Sequence, residues 1–242
     1  MFKKKTLTEM GLSDHCWISS IHHFSFEDYC NPLNDKFGVL RVLNDDIIKP
    51  RRGFHNHPHK DMEIICYVVE GNLTHEDSMG NRKTLGKDSI QYISAGTGII
   101  HEEHNLDSND LRMIQMWIYP NKLEVEPSYS NYTFNLEEEK NKWIYMISSK
   151  KGFAPVKINQ DVNIYNLKLD GNKNEEFKIN RNRQGYLLQI EGNSIVENIV
   201  FEAKYKNTIK LNKKEALEIY EEEFKIKSIT PSHFLLIEME KS

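Results

Sequence analysis

The chain is short of cysteine, of long apolar runs and of any surplus of one charge. Its three cysteines, Cys16, Cys30 and Cys66, are an odd number with no CxxC spacing. They build neither a disulfide framework nor a zinc knuckle, which points to a reducing compartment and a cytoplasmic protein. No segment approaches the roughly 20 apolar residues needed to span a bilayer. The lysines in Met1-Phe2-Lys3-Lys4-Lys5-Thr6-Leu7-Thr8-Glu9 are followed by no apolar stretch, so a signal peptide is excluded. Lys+Arg 32 against Asp+Glu 36 gives a net charge of -4, and the signs are well mixed. Direct nucleic-acid binding is therefore not expected, nor is a membrane partner. Hydrophobic residues make up a modest 38% of the 242 but are gathered in short dense runs between charged turns. That pattern suits a β-rich globule, and the length allows one large domain or two small ones.

What the chain does have is histidine placed beside carboxylate. Gly53-Phe54-His55-Asn56-His57-Pro58-His59 and Gly96-Thr97-Gly98-Ile99-Ile100-His101-Glu102-Glu103-His104-Asn105 bracket a series of strand-like runs. Side chains two apart on a strand share a face. His57 and His59 therefore point together, as do His101 and Glu103. Brought close, they form a mononuclear metal site of three imidazoles and one carboxylate. Histidine and carboxylate without thiolate suit Fe(II), Mn, Ni, Cu or Zn, and four protein ligands on an octahedral ion leave two open positions. Glu63 has the His57/His59 parity and competes with Glu103 as the carboxylate ligand, with a pocket role as its other reading. His55 shares that parity and is expected at the mouth of the site. Of His22 and His23, which face opposite ways, at most one can join it. His75-Glu76-Asp77-Ser78 reads as a solvated strand.

Runs at Trp17–Phe26, Phe37–Asp46, Met62–Glu70, Leu73–Ser78, Ser89–Ile93 and Arg112–Tyr119 read as short strands separated by glycine turns, the signature of a barrel or sandwich. From Pro120 the character changes to a crossing segment ending in a short helix near Glu137-Glu138-Glu139-Lys140. The expected division is an N-terminal domain over 1–122, a crossing segment over 123–145 and a C-terminal domain over 146–242. The second half echoes the first: Glu191-Gly192-Asn193 matches Glu70-Gly71-Asn72, each after an apolar run. Aligned on those turns, Lys178 and Asn180 stand opposite His57 and His59, and Gln184 opposite Glu63. The ligand types are missing there, and His233 is the one histidine in that half.

Two longer patterns carry a resemblance. Gly53…His57-Pro58-His59…Glu63…Gly71 and Gly86…Gly96…His101…Asn105 resemble the two cupin motifs. Asp61-Met62-Glu63-Ile64, Tyr67-Val68-Val69-Glu70-Gly71, His75-Glu76-Asp77-Ser78-Met79-Gly80-Asn81, Ser94-Ala95-Gly96-Thr97-Gly98-Ile99 and His101-Glu102-Glu103 narrow it. Together they resemble pirin, and especially the shorter bacterial pirin-like proteins assigned as quercetin 2,3-dioxygenases. The resemblance implies an all-β bicupin: two antiparallel β-barrel (jelly-roll) domains packed together, few short helices, and metal in the N-terminal one only. Carried over by position, the ligands are His57, His59, His101 and Glu103, in agreement with strand parity. Glu102 stands where the family commonly has serine, and His55 is an extra imidazole.

The resemblance further implies one divalent transition metal, Fe(II) first, with Mn, Ni, Cu or Zn as alternatives. A flavonol and O2 would be the substrates, with Glu103 or Glu63 as general base and with ring opening and loss of carbon monoxide. It also implies a rival: a metal- and redox-sensing regulator, not an enzyme, that docks on a protein partner. A basic patch at the mouth of the site would favour the regulator, and a closed apolar pocket the enzyme.

Overall fold

The sequence's short apolar runs bounded by turn residues become strands almost throughout. The computed structural model describes residues 1–199 and 207–241. Among them the one helical element is the 3-10 turn Leu7–Glu9. The short helix expected near Glu137–Lys140 is absent, and residues 136–141 form turns instead. Four residues cannot offset the cost of helix nucleation. Ion pairs from Lys140 and Lys142 to Glu137 and Glu139 brace that turn. No helix among the described residues is long and apolar enough to cross a membrane.

The chain divides into two compact units. One is Met10–Phe134 with Val156–Gln160; the other is Met1–Glu9, Asn135–Pro155 and Asp161–Ser242. In the first unit, one sheet runs Ser128–Thr133, Ser89–Ser94, Glu63–Glu70, Leu111–Ile118, Leu40–Ile48, Ile18–His22, Gly11–Asp14. A four-stranded sheet runs Arg52–His59, Ile99–Asn105, Leu73–Asp77, Arg82–Leu85. Neighbours are antiparallel. These are two separate sheets in a jelly-roll-like sandwich, in keeping with the expected jelly-roll domain, and they do not close into a barrel. Ile18, Ile48, Cys66, Val68, Leu73, Leu85, Leu111 and Met113 pack together as one core cluster, with Trp17 and Phe54 against it. Each fully buried aliphatic side chain contributes about 1.5–3 kcal/mol.

The second unit repeats the plan. One of its sheets includes, in order, Phe2–Lys5, Ala216–Tyr220, Arg183–Glu191, Ser232–Glu240, Val162–Leu169 and Ile144–Ser149. The other runs Asn174–Lys178, Glu223–Ser228, Asn193–Asn198, Thr208–Asn212. The echoed turns are the same turn twice: Gly71 has φ +81° and Gly192 φ +79°. A side chain would be strained at either, and a Cβ would lie 2.6 Å from the Asp110 carbonyl oxygen or 2.3 Å from that of Pro231.

Candidate metal centre

Alternation holds along Ile99–Asn105: residues 99, 101, 103 and 105 are buried, and 100, 102 and 104 are not. That strand pairs with Arg52–His59, placing His101 opposite His57 and Ile99 opposite His59. Between His101/His57 and Glu103/Phe54 the register shifts, because three steps on one strand face two on the other. The extra residue is a β-bulge, which turns side chains beyond it to the other face. Phe54 thus joins the histidine side, its ring 6.2 Å from that of His57. His55, expected at the mouth by parity, is exposed on the far side with its ring 5.3 Å from His104.

His57, His59 and His101 converge, each offering a ring nitrogen within 4.8 Å of the others. Their ring centroids are 4.4 to 4.9 Å apart. Nδ1 of His57 lies 2.7 Å from the His55 carbonyl oxygen, a pure acceptor, so Nδ1 carries a proton and Nε2 is the nitrogen left for a ligand. His101 is 1% exposed, and neither of its ring nitrogens has a hydrogen-bond partner. An unpartnered buried imidazole costs free energy unless something binds it. Burial, then the neighbouring His57 and His59, pushes the His101 pKa down to about 2. Burial and His57 lower His59 to about 4. Both are neutral at physiological pH, the protonation state in which imidazole binds a metal. The residues present therefore fit a divalent ion.

Glu103 is 1% exposed and lies beside this triad, grouped with His101 and His75 within 4.8 Å. Its carboxylate accepts hydrogen bonds from Cys66 Sγ (3.3 Å), Gln115 Nε2 (3.3 Å) and Gln91 Nε2. Burial raises its pKa; His75 and the Cys66 bond act against that. His75 is fully buried, not solvated as its sequence context indicated. Its Nε2 lies 3.0 Å from Asp77, its ring stacks on Tyr129 at 4.6 Å, and its Nδ1 is unpartnered.

Glu63 corrects the parity argument. Ile64 faces the histidines, so Glu63 points to the opposite side of its strand. There its carboxylate accepts from Tyr92 Oη (2.5 Å) and from the backbone amides of Asn159 (2.8 Å) and Gln160 (3.0 Å). The turn at residues 60–62 resets which face an odd-numbered residue takes.

The three histidines stand in the wall of a cavity of about 290 Å³. Trp17, Ile18, Phe26, Phe54, Ile64 and Trp117 supply its apolar lining, and Trp117 packs edge-on to His59 at 4.9 Å. Opposite the histidines, the seven-stranded sheet contributes Ser20, His22, Asn44, Asp46 and Gln115. Sequence reasoning missed this polar group. Its signal was present as Asn44 and Asp46, two polar residues at alternate positions in a strand that is otherwise largely apolar. Burial pushes the Asp46 carboxyl up to about 7, with a Ser20 hydrogen bond acting against it.

A family model described as Pirin matches residues 4–118, and one described as Quercetinase C-terminal cupin domain matches residues 145–239. An Escherichia coli K12 protein named quercetin 2,3-dioxygenase is 33% identical over 241 residues, 99% of each chain. A pirin-like protein of Caulobacter vibrioides is 36% identical over 193 residues, 79% of this chain and 83% of that one. Among solved structures, the bacterial pirin YhhW of Escherichia coli in complex with nickel(II) matches with a TM-score of 0.90 at 32% identity, covering 100% of both chains.

Proposed function

The chain belongs to the pirin family, and on that premise we propose that it is a metal-dependent flavonol 2,3-dioxygenase. The observation that carries this reading is the convergence of three imidazoles, one with both nitrogens buried and unpartnered, on an aromatic-lined cavity. His57, His59 and His101 hold the metal and Glu103 completes the set, with Fe(II) the preferred ion. Nickel is the alternative favoured by the YhhW complex. A divalent ion there would lower the pKa of the flavonol 3-hydroxyl that binds it and so favour the enolate that reacts with O2.

The chain's own groups do the rest. Glu103, once released from the ion, would take the hydroxyl proton as general base. Gln91 and Gln115 fix its oxygens through their amide N–H groups. Trp17, Phe26, Phe54 and Trp117 exclude water and offer flat faces to a planar substrate. At about 290 Å³ the cavity is at the low end of small-molecule pockets, roughly 300–1,000 Å³. It takes one small aromatic molecule and not a protein segment. His15 and Glu27 are its most exposed lining residues, and neither makes the basic patch a docking regulator would want.

The test follows quercetin absorbance under air with Fe(II)-loaded protein beside a His57→Ala/His59→Ala variant, with metal content measured on both. Turnover by the native protein, lost with the metal in the variant, is expected. A filled site with no turnover would overturn the oxygenase reading and favour a regulator.

A further inference from the structure

Ser20, His22, Asn44 and Asp46, on the polar floor of the cavity, are not among the proposed metal ligands. The floor is built by register. On the inner face of the large sheet, His22 stands opposite Asn44 and Asn44 opposite Gln115, while Ser20 stands opposite Asp46. His22 is locked at both ring nitrogens: Nδ1 lies 2.9 Å from Asn44 Oδ1 and Nε2 2.9 Å from Ser13 Oγ. Because Asn44 Oδ1 can only accept, Nδ1 carries the His22 proton and the Ser13 hydroxyl donates to Nε2. Asn44 is thereby oriented with its Nδ2 group as the remaining donor. Beside it, Asp46 is 2% exposed and its Oδ1 has no hydrogen-bond partner. A buried carboxylate oxygen left unpartnered in a cavity wall is costly, and a ligand donor relieves that cost.

We propose that Ser20, Asn44 and Asp46 form a hydroxyl-recognition subsite, which selects planar aromatic ligands bearing a phenolic hydroxyl on the ring away from the metal. The inference rests on the oxygenase reading for which end of the ligand the histidines hold. A phenolic hydroxyl both donates and accepts. Asp46 accepts its proton in a hydrogen bond, Asn44 Nδ2 donates to its oxygen, and the Ser20 hydroxyl, whose own proton goes to Asp46, can accept. The histidines come from one sheet and this group from the other, so a flat ligand between the sheets is gripped at both ends. A site built around a ligand hydroxyl discriminates strongly against the analogue lacking it, because its own polar groups are then left unpaired.

The test measures anaerobic binding to the metal-loaded protein for two flavonols that differ only in the outlying ring: quercetin, with two hydroxyls there, and galangin, with none. The native protein should bind quercetin about 10-fold or more tighter, as expected for a hydrogen bond to a charged group. Asp46→Asn, near-isosteric, should bring the ratio of quercetin to galangin affinity close to one. Ser20→Ala should reduce it partway, and thermal unfolding checks that both variants fold. Equal affinities in the native protein, equal weakening of both ligands by Asp46→Asn, or no binding of either flavonol would overturn the subsite. Without O2 the assay is separate from turnover. Asp46-dependent preference without oxygenation in air keeps the subsite and sinks the oxygenase, and turnover without preference does the reverse.

Discussion

A carboxylate in a medium that disfavours charge makes the stability of its protein depend on pH, and Asp46 is such a group. Burial raises it to about 7, the Ser20 hydrogen bond opposes that, and Asp45 and Glu103 add repulsion. An unfolded Asp titrates near 3.9. Between about pH 4 and 7 the folded state therefore binds more protons than the unfolded state, and the stability contributed is lost as pH rises through that window. Asp46→Asn has no proton to lose. Its melting point should exceed that of the metal-free native protein by little at pH 4 and by most above pH 7, on the order of 1–4 kcal/mol in stability. Thermal unfolding across the range checks it, and a pH-independent difference would contradict the buried-carboxylate account.

At the scale of the element, what the sequence disclosed depended on how regular each strand is. The pairing of His101 with Glu103 was legible because Ile99–Asn105 alternates without interruption. The pairing of His57 with His59 was legible because the bulge lies before them. His55 was not, since the register shift that turns it outward arises from pairing with another strand and leaves no local mark. Glu63 was misplaced for a related reason: parity does not carry across the turn at residues 60–62. His75 was hidden by its acidic neighbours Glu76 and Asp77, although Asp77 turns inward and bonds to it. The turn Glu70-Gly71-Asn72 and its echo at Glu191-Gly192-Asn193 were legible because a left-handed backbone asks for glycine. The bulge makes a clear prediction. His55→Ala should keep the native metal content, measured by plasma emission on purified protein, and His57→Ala should lose most of it. Equal losses would mean that His55 faces the site.

At the scale of the molecule, the first strand of the chain serves the unit formed largely by its last hundred residues. Phe2–Lys5 pairs with Ala216–Tyr220, and the Phe2 ring meets Phe224 edge-on at 6.4 Å. Lys4 reaches Glu215 at 2.7 Å, and the buried Lys5 reaches Glu218 at 3.5 Å. No local signal announces a partner more than two hundred residues away. Removing residues 2–5 should bare a sheet edge and lower the melting point of that unit, by about 1–3 kcal/mol in stability. The metal content should stay, because His57, His59 and His101 belong to the other unit. Calorimetry with metal analysis separates the two effects, and loss of metal on truncation would contradict the division.

The central claim is that His57, His59 and His101 hold an ion at which a flavonol is opened by O2. The most direct measurement is quercetin turnover by the Fe(II)-loaded protein under 18O2, with mass analysis of the cleaved ester and of the gas phase. Insertion of O2 with loss of carbon monoxide balances as C15H10O7 + O2 → C14H10O8 + CO. The account predicts two labelled oxygens in the ester and one equivalent of carbon monoxide, with neither formed by the His57→Ala/His59→Ala protein. Quercetin loss with unlabelled product, or with hydrogen peroxide in place of carbon monoxide, would contradict it.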